Sequence, residues 1–397
     1  VLISAILVYF FIKKHGFSPR ISFLVAFLFL FATSLSFHSH RHIMFINYMP
    51  FLIMGFYGVD RKLIKHKSVL LTISVFLLAM TSYYYSICGI ISLVIYGVYR
   101  YLSINKEITW KKFLKDGIFF VLPILIGVLM AGIVLIPTFY VILNGRGETF
   151  NSITLKNLFI PGAHISYFVY ASYGIGLTSI VILAITNLFN KKNKEQLFLG
   201  IVLALTLLFP FINYILNGTM YIDAKVLIPF LPLCIIAVAI LFKNLFNNNF
   251  NYKRTLIIFI LISIFADFSG YQKILYLIDV LVVVGSLLLY KKFKKEIFMV
   301  VFLCLVSFIV SVSISKYDEL VVKESAIKET SSIKETIDYI TNLDSSYYRI
   351  NDGLGNTTDN KIYNNLNYYS STLYSSIYHK GYNKFYYDVM NNNVISR

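Results

Sequence analysis

The stretch SFHSHRHIMFINYMPF at residues 36–51 sets His38, His40, Arg41 and His42 between two strongly apolar runs. Imidazoles and a guanidinium gathered this way can ligate a metal, anchor a helix end among lipid headgroups, or hold an anionic ligand. His38 and His42 are four residues apart, so a helix would put them on one face and turn His40 away. Zinc takes three or four ligands backed by ordered second-shell partners. No Asp, Glu or Cys lies nearby, so no metal ligand set can be assigned. Two readings stay open: headgroup contact, and an anion held by Arg41 with a histidine, since guanidinium matches phosphate oxygens with two parallel donors.

Other polar residues fall in similar settings. SYYYS (82–86) supplies Tyr83 and Tyr84, either as an interfacial aromatic belt or as hydroxyls lining a sugar or phosphate cleft. NGRGETF (144–150) places Arg146 and Glu148 among glycines in a long loop, either solvated or functional. LNGTMYIDAKVLIPFLPL (216–233) sets Asp223 and Lys225 at the mouth of an apolar segment, where a lysine can snorkel to the surface. Asp267 and Asp279 lie in apolar surroundings. Acids there are functional candidates, with pairing to a lysine or a headgroup as the alternative. Glu148, Asp223 and Asp279 are therefore the candidate catalytic carboxylates. His38, Arg41, Tyr83, Tyr84, Arg146 and Lys225 are the candidate substrate ligands.

The elements that must position these residues follow from composition. The chain is 57% hydrophobic and only 14% charged, with a mean hydropathy of +0.70. Soluble domains carry nearly twice that share of charge. Apolar runs long enough to cross a bilayer recur up to about Ser315, and helices are the form in which such runs satisfy their backbone in lipid. About twelve segments can be counted, so the expected fold is an all-α polytopic membrane bundle over residues 1–315. Cys88, Cys234 and Cys304 sit in apolar runs without metal or redox spacing and read as small core hydrophobes.

The net charge of +17 would suggest nucleic acid in a soluble protein. Here the basic residues occupy short loops, including 13–20, 60–67, 100–115, 191–194, 243–254 and 291–295. These fall at every second connection, as the positive-inside rule requires, so the basic loops are expected in the cytoplasm and no nucleic-acid partner is expected. Residues 316–397 then form an extracytoplasmic domain. KESAIKETSSIKETIDYITNL (323–343) has isoleucines at helical spacing, and the Tyr/Asn/Ser-rich sequence from 347 onward suggests short strands, giving the start of an α+β domain. Val1 falls inside an apolar run and Arg397 in polar sequence, so an internal fragment is expected.

Nearly all the informative polar residues map to the outer third of this bundle. A transporter should show polar or broken-helix features near the midplane. An enzyme acting on a lipid-linked substrate at the outer leaflet needs a cationic, aromatic-lined interfacial cleft. A lipid or polymer flippase and a non-catalytic envelope-assembly scaffold are the rival classes.

FHSHRHIMFINYMPFLIMGF (37–56), MTSYYYSICGIISLVIYGVYRYL (80–102), LNGTMYIDAKVLIPFLPL (216–233) and YYRINDGLGNTTDNKIYNNLNYYSSTLYSS (347–376) resemble the bacterial YfhO family of membrane proteins. That family is similar to the GT-C glycosyltransferases. The resemblance implies a plasma-membrane enzyme moving a sugar from a polyprenyl-phosphate donor to an envelope polymer such as lipoteichoic acid, among membrane lipids. It implies no cofactor; a divalent metal has no assignable site. The acidic motif of GT-C enzymes lies between their first two helices, which here would precede Val1.

The loop pattern yields a labelling experiment. Cysteines placed at Lys192 and Lys292 should be shielded from impermeant thiol reagents in intact cells, whereas one at Asn356 should react. The reverse pattern would overturn the assignment of sides.

Overall fold

A backbone that leaves water must satisfy its own hydrogen bonds, and a helix does so within one segment. Among the described residues 82% are helical and none is in a strand. The computed structural model describes residues 1–105, 107–145, 158–160, 165–189, 193–219, 222–264, 266, 268, 271–317, 330–344, 346–347, 381 and 384–389. Its helices run α1 (Leu2–Lys14), α2 (Pro19–Leu30), α3 (Thr33–His38), α4 (Met49–Lys65), α5 (Val69–Thr81), α6 (Tyr83–Ile104), α7 (Trp110–Met130) and α8 (Gly132–Gly145). They continue as α9 (Ile165–Val169), α10 (Ile180–Leu188), α11 (Lys194–Leu208), α12 (Pro210–Leu216), α13 (Leu231–Phe246), α14 (Tyr252–Ile264), α15 (Tyr271–Phe293), α16 (Glu296–Tyr317) and α17 (Thr330–Leu343). The chain divides into one unit of Val1–Gly132 with Ile153–Leu320, and a second of Ile133–Ser152 with Val321–Arg397.

In the first unit a 3-10 stretch, Ala224–Phe230, feeds into α13. Together they form a 23-residue rod whose most apolar 18-residue window is 94% buried. A helix apolar on all sides has no face for water and belongs inside. Helices α2, α10 and α11 pack against α13, and α6 packs against the 3-10 stretch.

Among the described residues six helices are long and apolar enough to cross a membrane, or seven if the bent pair α11–α12 counts as one span. About twelve apolar runs therefore do not become twelve long helices. Helix α2 has 12 residues and α5 has 13, about 18–20 Å against a hydrocarbon core of about 30 Å. The run at 21–37 is interrupted after Leu30, and α3 starts at Thr33. The run at 197–213 bends by 90° between α11 and α12, where Pro210 cannot donate the N–H that would continue the helix. The run at 167–188 holds a loop between α9 and α10. The weak break expected in TSYYYS is a real boundary: Ser82 is extended, and its hydroxyl accepts the Tyr85 N–H at 3.3 Å.

Charge is handled inside the protein at the C-terminal ends of α4 and α6. Asp60, 2% exposed, receives Arg100 Nε at 2.9 Å and the Tyr96 hydroxyl at 3.0 Å. His15 Nε2 lies 2.9 Å from the other carboxylate oxygen, and its Nδ1 donates to the Phe11 carbonyl at 2.7 Å. The network joins α1, α4 and α6 through a residue that the sequence places in a basic loop. A buried carboxylate is tolerable only when paired and hydrogen-bonded in this way.

In the second unit the expected amphipathic helix is present as α17, with Ile337 buried and Ile340 half-buried. Of the stretch from residue 347 onward, where strands are expected, the described part is 347, 381 and a π-helical turn at Lys384–Val389; the rest lies outside the described residues.

Close approach of α4 and α5 depends on Gly58, where a Cβ would stand 2.7 Å from the backbone N and Cα of Leu71. Gly58→Ala should therefore lower thermal stability in detergent, at a cost of about 1–3 kcal/mol for forced overpacking. Gly117→Ala, with nothing within 4 Å, should hold or gain up to about 1 kcal/mol from helix propensity. Equal unfolding temperatures for the two variants would contradict this packing.

Candidate functional site

Helix α3 is set in place by the loop that precedes α10. The Thr33 N–H donates to the Gly176 carbonyl at 2.7 Å, and the Ser34 hydroxyl to the Ile175 carbonyl at 2.9 Å. Gly176 has φ +66°, and a Cβ there would stand 2.8 Å from Ser34 N. Glycine alone meets both demands. Ser36 and Ser311 hydroxyls are hydrogen-bonded to each other, tying α3 to α16. These contacts fix the six-residue helix whose last residue is His38.

From His38 a continuous set of ring contacts runs across the unit. Its imidazole centroid is 4.7 Å from Phe45, 4.8 Å from Tyr173 and 5.7 Å from His42. The Tyr173 hydroxyl meets His42 Nδ1 at 3.4 Å. Phe45 contacts Tyr85 at 5.4 Å; Tyr85 stacks on Tyr48 at 5.1 Å and meets Tyr84 edge-on at 4.9 Å. Lys225 Nζ sits 5.6 Å from the Tyr84 ring centroid, and the Tyr84 hydroxyl donates to Asn217 Oδ1 at 2.5 Å. Asn217 in turn donates to the Asp223 carbonyl at 2.9 Å, and Asp223 Oδ2 is 3.8 Å from Lys225 Nζ. Arg41, exposed, lies over the Phe37 ring at 5.5 Å.

His38, Arg41, Tyr84, Asp223 and Lys225 therefore belong to one cluster, although they span nearly two hundred positions of sequence. Tyr83 is half-buried at the start of α6, one residue from Tyr84. Sequence reasoning missed Phe45, Tyr48, Tyr85, Tyr173 and Asn217, whose types match ordinary core or belt residues. Arg146, Glu148 and Asp267 lie outside the described residues. Asp279 is fully buried, and among the described residues its carboxylate pairs with no lysine but accepts the Ser179 N–H at 2.6 Å and the Tyr170 hydroxyl at 3.2 Å.

The electrostatics favour an anion. Arg41 and Lys225 bring positive charge, and α4 and α6 both begin at this cluster with the positive ends of their backbone dipoles. Burial pushes the His38 imidazole down to about 4, helped by the neighbouring His42 and by Arg41 and partly offset by the Ser172 backbone. Burial and then Arg41 lower His42 as well. At neutral pH His38 is thus an uncharged ring that can donate and accept. Neither of its nitrogens, nor the Tyr48 hydroxyl, has a hydrogen bond of ordinary geometry among the described residues. Buried polar groups nearly always find partners, so such exceptions ask for an explanation. Among the described residues no group of three or more His, Cys, Asp or Glu is placed to hold a metal.

A family model described as "Bacterial membrane protein YfhO" matches residues 1–396. No curated protein matches the chain, and neither does any solved structure.

The neutral, buried imidazole makes stability depend on acidity. Between about 4 and the ordinary histidine value of 6.5 the unfolded chain binds the proton that folded His38 refuses. Stability is then complete above pH 6.5 and lost as pH falls toward 4, by at most about 3 kcal/mol. His38→Phe keeps the ring contacts and should flatten this part of the pH profile of thermal unfolding. A variant as acid-sensitive as the wild type would exclude His38 as the cause.

Proposed function

The chain belongs to the YfhO family of bacterial membrane proteins, and on that premise we propose that it transfers a sugar from a polyprenyl-phosphate donor to an envelope polymer such as lipoteichoic acid. The observation that carries the reading is the cluster itself: two cations, two helix N-termini and a buried imidazole without a hydrogen bond of ordinary geometry, joined to a band of tyrosines. A guanidinium and an ammonium suit a phosphate, tyrosine faces and hydroxyls suit a sugar, and neutral His38 suits a hydroxyl of either substrate. The likeness of the family to GT-C glycosyltransferases points the same way.

The chemistry is a displacement. An acceptor hydroxyl attacks the anomeric carbon, the bond to the polyprenyl phosphate breaks, and a carboxylate takes the hydroxyl proton. Arg41 and Lys225 meet the charge that gathers on the departing phosphate, where a site shielded from water makes them count most. Of the candidate carboxylates, Asp223 is the described one that reaches solvent, with its side chain 37% exposed. Asp279 is enclosed and already hydrogen-bonded, so we assign the proton to Asp223. Orientation follows from charge. Helices α4 and α6 both run from this cluster toward ends rich in Lys and Arg. The positive-inside rule then sets a multi-pass chain with the cluster at the outer face and the C-terminal region outside.

The test is transfer of radiolabelled sugar from a lipid-linked donor to a wall-polymer acceptor by membranes containing the protein. Arg41→Ala and Lys225→Ala should each lower transfer by roughly two orders of magnitude, the scale of a lost charge-assisted contact to phosphate. Arg41→Lys should lose less, and Asp223→Asn should abolish transfer while sparing donor binding. Wild-type transfer by the alanine variants at normal abundance would return Arg41 and Lys225 to surface anchoring. Donor binding without transfer, over a range of donors and acceptors, would favour a flippase.

A further inference from the structure

A second arrangement of charge and apolar surface lies at the other ends of α4 and α6. Between α6 and α7 runs a crevice of about 470 Å³ walled by apolar side chains, among them Val94, Val98, Leu122 and Leu125, with Gly97 at its base. Beside it lies a polar recess of about 620 Å³ that includes Lys62, His66, Asn105 and Lys112. Leu63, Tyr101, Asp116 and Phe120 line both, so an oily crevice and a cationic recess adjoin at these four residues.

The charge in the recess is uncommitted. Lys62 Nζ donates to the Ser68 hydroxyl at 3.0 Å and Lys112 Nζ to Asn105 Oδ1 at 3.4 Å. Both partners are neutral, and neither lysine meets a carboxylate among the described residues. The one acid lining the recess, Asp116, already takes the Tyr101 hydroxyl at 2.9 Å. Dimensions agree with the chemistry. Along α7 the crevice runs from Phe113 to Leu125, about 18 Å of helix, close to the depth of one leaflet of hydrocarbon. Ile118, Leu122 and Leu125 on this stretch are 71%, 50% and 50% exposed, as suits a face turned to lipid. Exposed Trp110 begins the same helix at the headgroup level.

We propose that crevice and recess together are a specific site for one anionic glycerophospholipid, with its phosphate on Lys62, His66 and Lys112 and an acyl chain laid in the α6–α7 crevice. A soluble phosphate would leave the crevice empty. A zwitterionic lipid would bring a second cation to a recess already holding three basic side chains. Basic recesses between helix ends beside a hydrocarbon core are where acidic lipids gain both Coulombic and apolar contact. The site is separate from the aromatic cluster, and this inference does not depend on the transfer reading.

The full chain, purified and delipidated, would be titrated with phosphatidylglycerol or phosphatidylcholine and examined by native mass spectrometry. The wild type should hold one phosphatidylglycerol at least tenfold more tightly than phosphatidylcholine, and excess glycerol 3-phosphate should not displace it. The double variant Lys62→Ala/Lys112→Ala should lose the preference, and Leu122→Trp, which plugs the crevice from an exposed position, should weaken both lipids. Equal binding of the two lipids by the wild type would overturn the proposal, and that arm needs no variant to fold. Retention of the preference by the double variant, or displacement by glycerol 3-phosphate, would overturn it equally.

Discussion

Enclosing the Ala224–Phe246 rod is the constraint to which the rest of the first unit answers. With no polar face, the rod must be surrounded by protein on every side. Between helices in lipid the drive comes from close packing more than from escape from water, because the tails are as apolar as leucine. Shape therefore decides which neighbours fit. Helices α2, α6, α10 and α11 are held by the rod or its 3-10 lead-in, and that lead-in begins at Asp223, Ala224 and Lys225. Two of the three charged residues of the aromatic cluster, Asp223 and Lys225, are thus carried at the start of a largely buried element. Their position is set by burial behind them rather than by their own weak 3.8 Å pairing.

Helices α4 and α6 run in the same sense and join two ends with opposite polar logic. From Tyr48 to Asp60 is twelve residues of α4 and its lead-in, about 18 Å. At the far end the buried carboxylate has a guanidinium, a phenol and an imidazole around it. At the near end His38 and Tyr48 are equally buried and have no such partners. The same residue types therefore separate into two roles by satisfaction alone. His15, bonded through both nitrogens, holds helices together; His38, its nitrogens met only by the Ser172 backbone among the described residues, has capacity left for a ligand.

Much of this was legible in composition and spacing. Long apolar runs with few charges dictated helices, and the weak break in TSYYYS was readable because merging its two flanking segments would spoil the alternation of basic loops. His38, Arg41, Tyr84, Asp223 and Lys225 stood out because polar groups are conspicuous in apolar surroundings, and the fold brings those five together. The count of long helices was not legible. An apolar run records length without recording where the helix stops: Pro210 announces its bend, but Phe31 and Ala32 announce nothing. The interruption there is stabilised from 140 residues away, by the Gly176 and Ile175 carbonyls. Asp60 was hidden for a related reason. DRKLIKHK reads as a charged loop, yet α4 continues to Lys65 and turns its first acid inward.

The two described candidate carboxylates, Asp279 and Asp223, illustrate how burial separates structure from chemistry. Asp279 has no exposure, and one oxygen already accepts both a backbone N–H and a phenol. A substrate hydroxyl could reach it only by displacing α15 from its neighbours. Asp223 keeps a third of its surface open, while its other oxygen caps the 3-10 turn by accepting the Lys225 N–H at 2.9 Å. That cap fixes the carboxylate without consuming it, and the lysine that donates the backbone bond also carries the ammonium. Carboxylate and ammonium are therefore two residues apart on one turn, and the same local geometry that starts the central rod sets the distance between them.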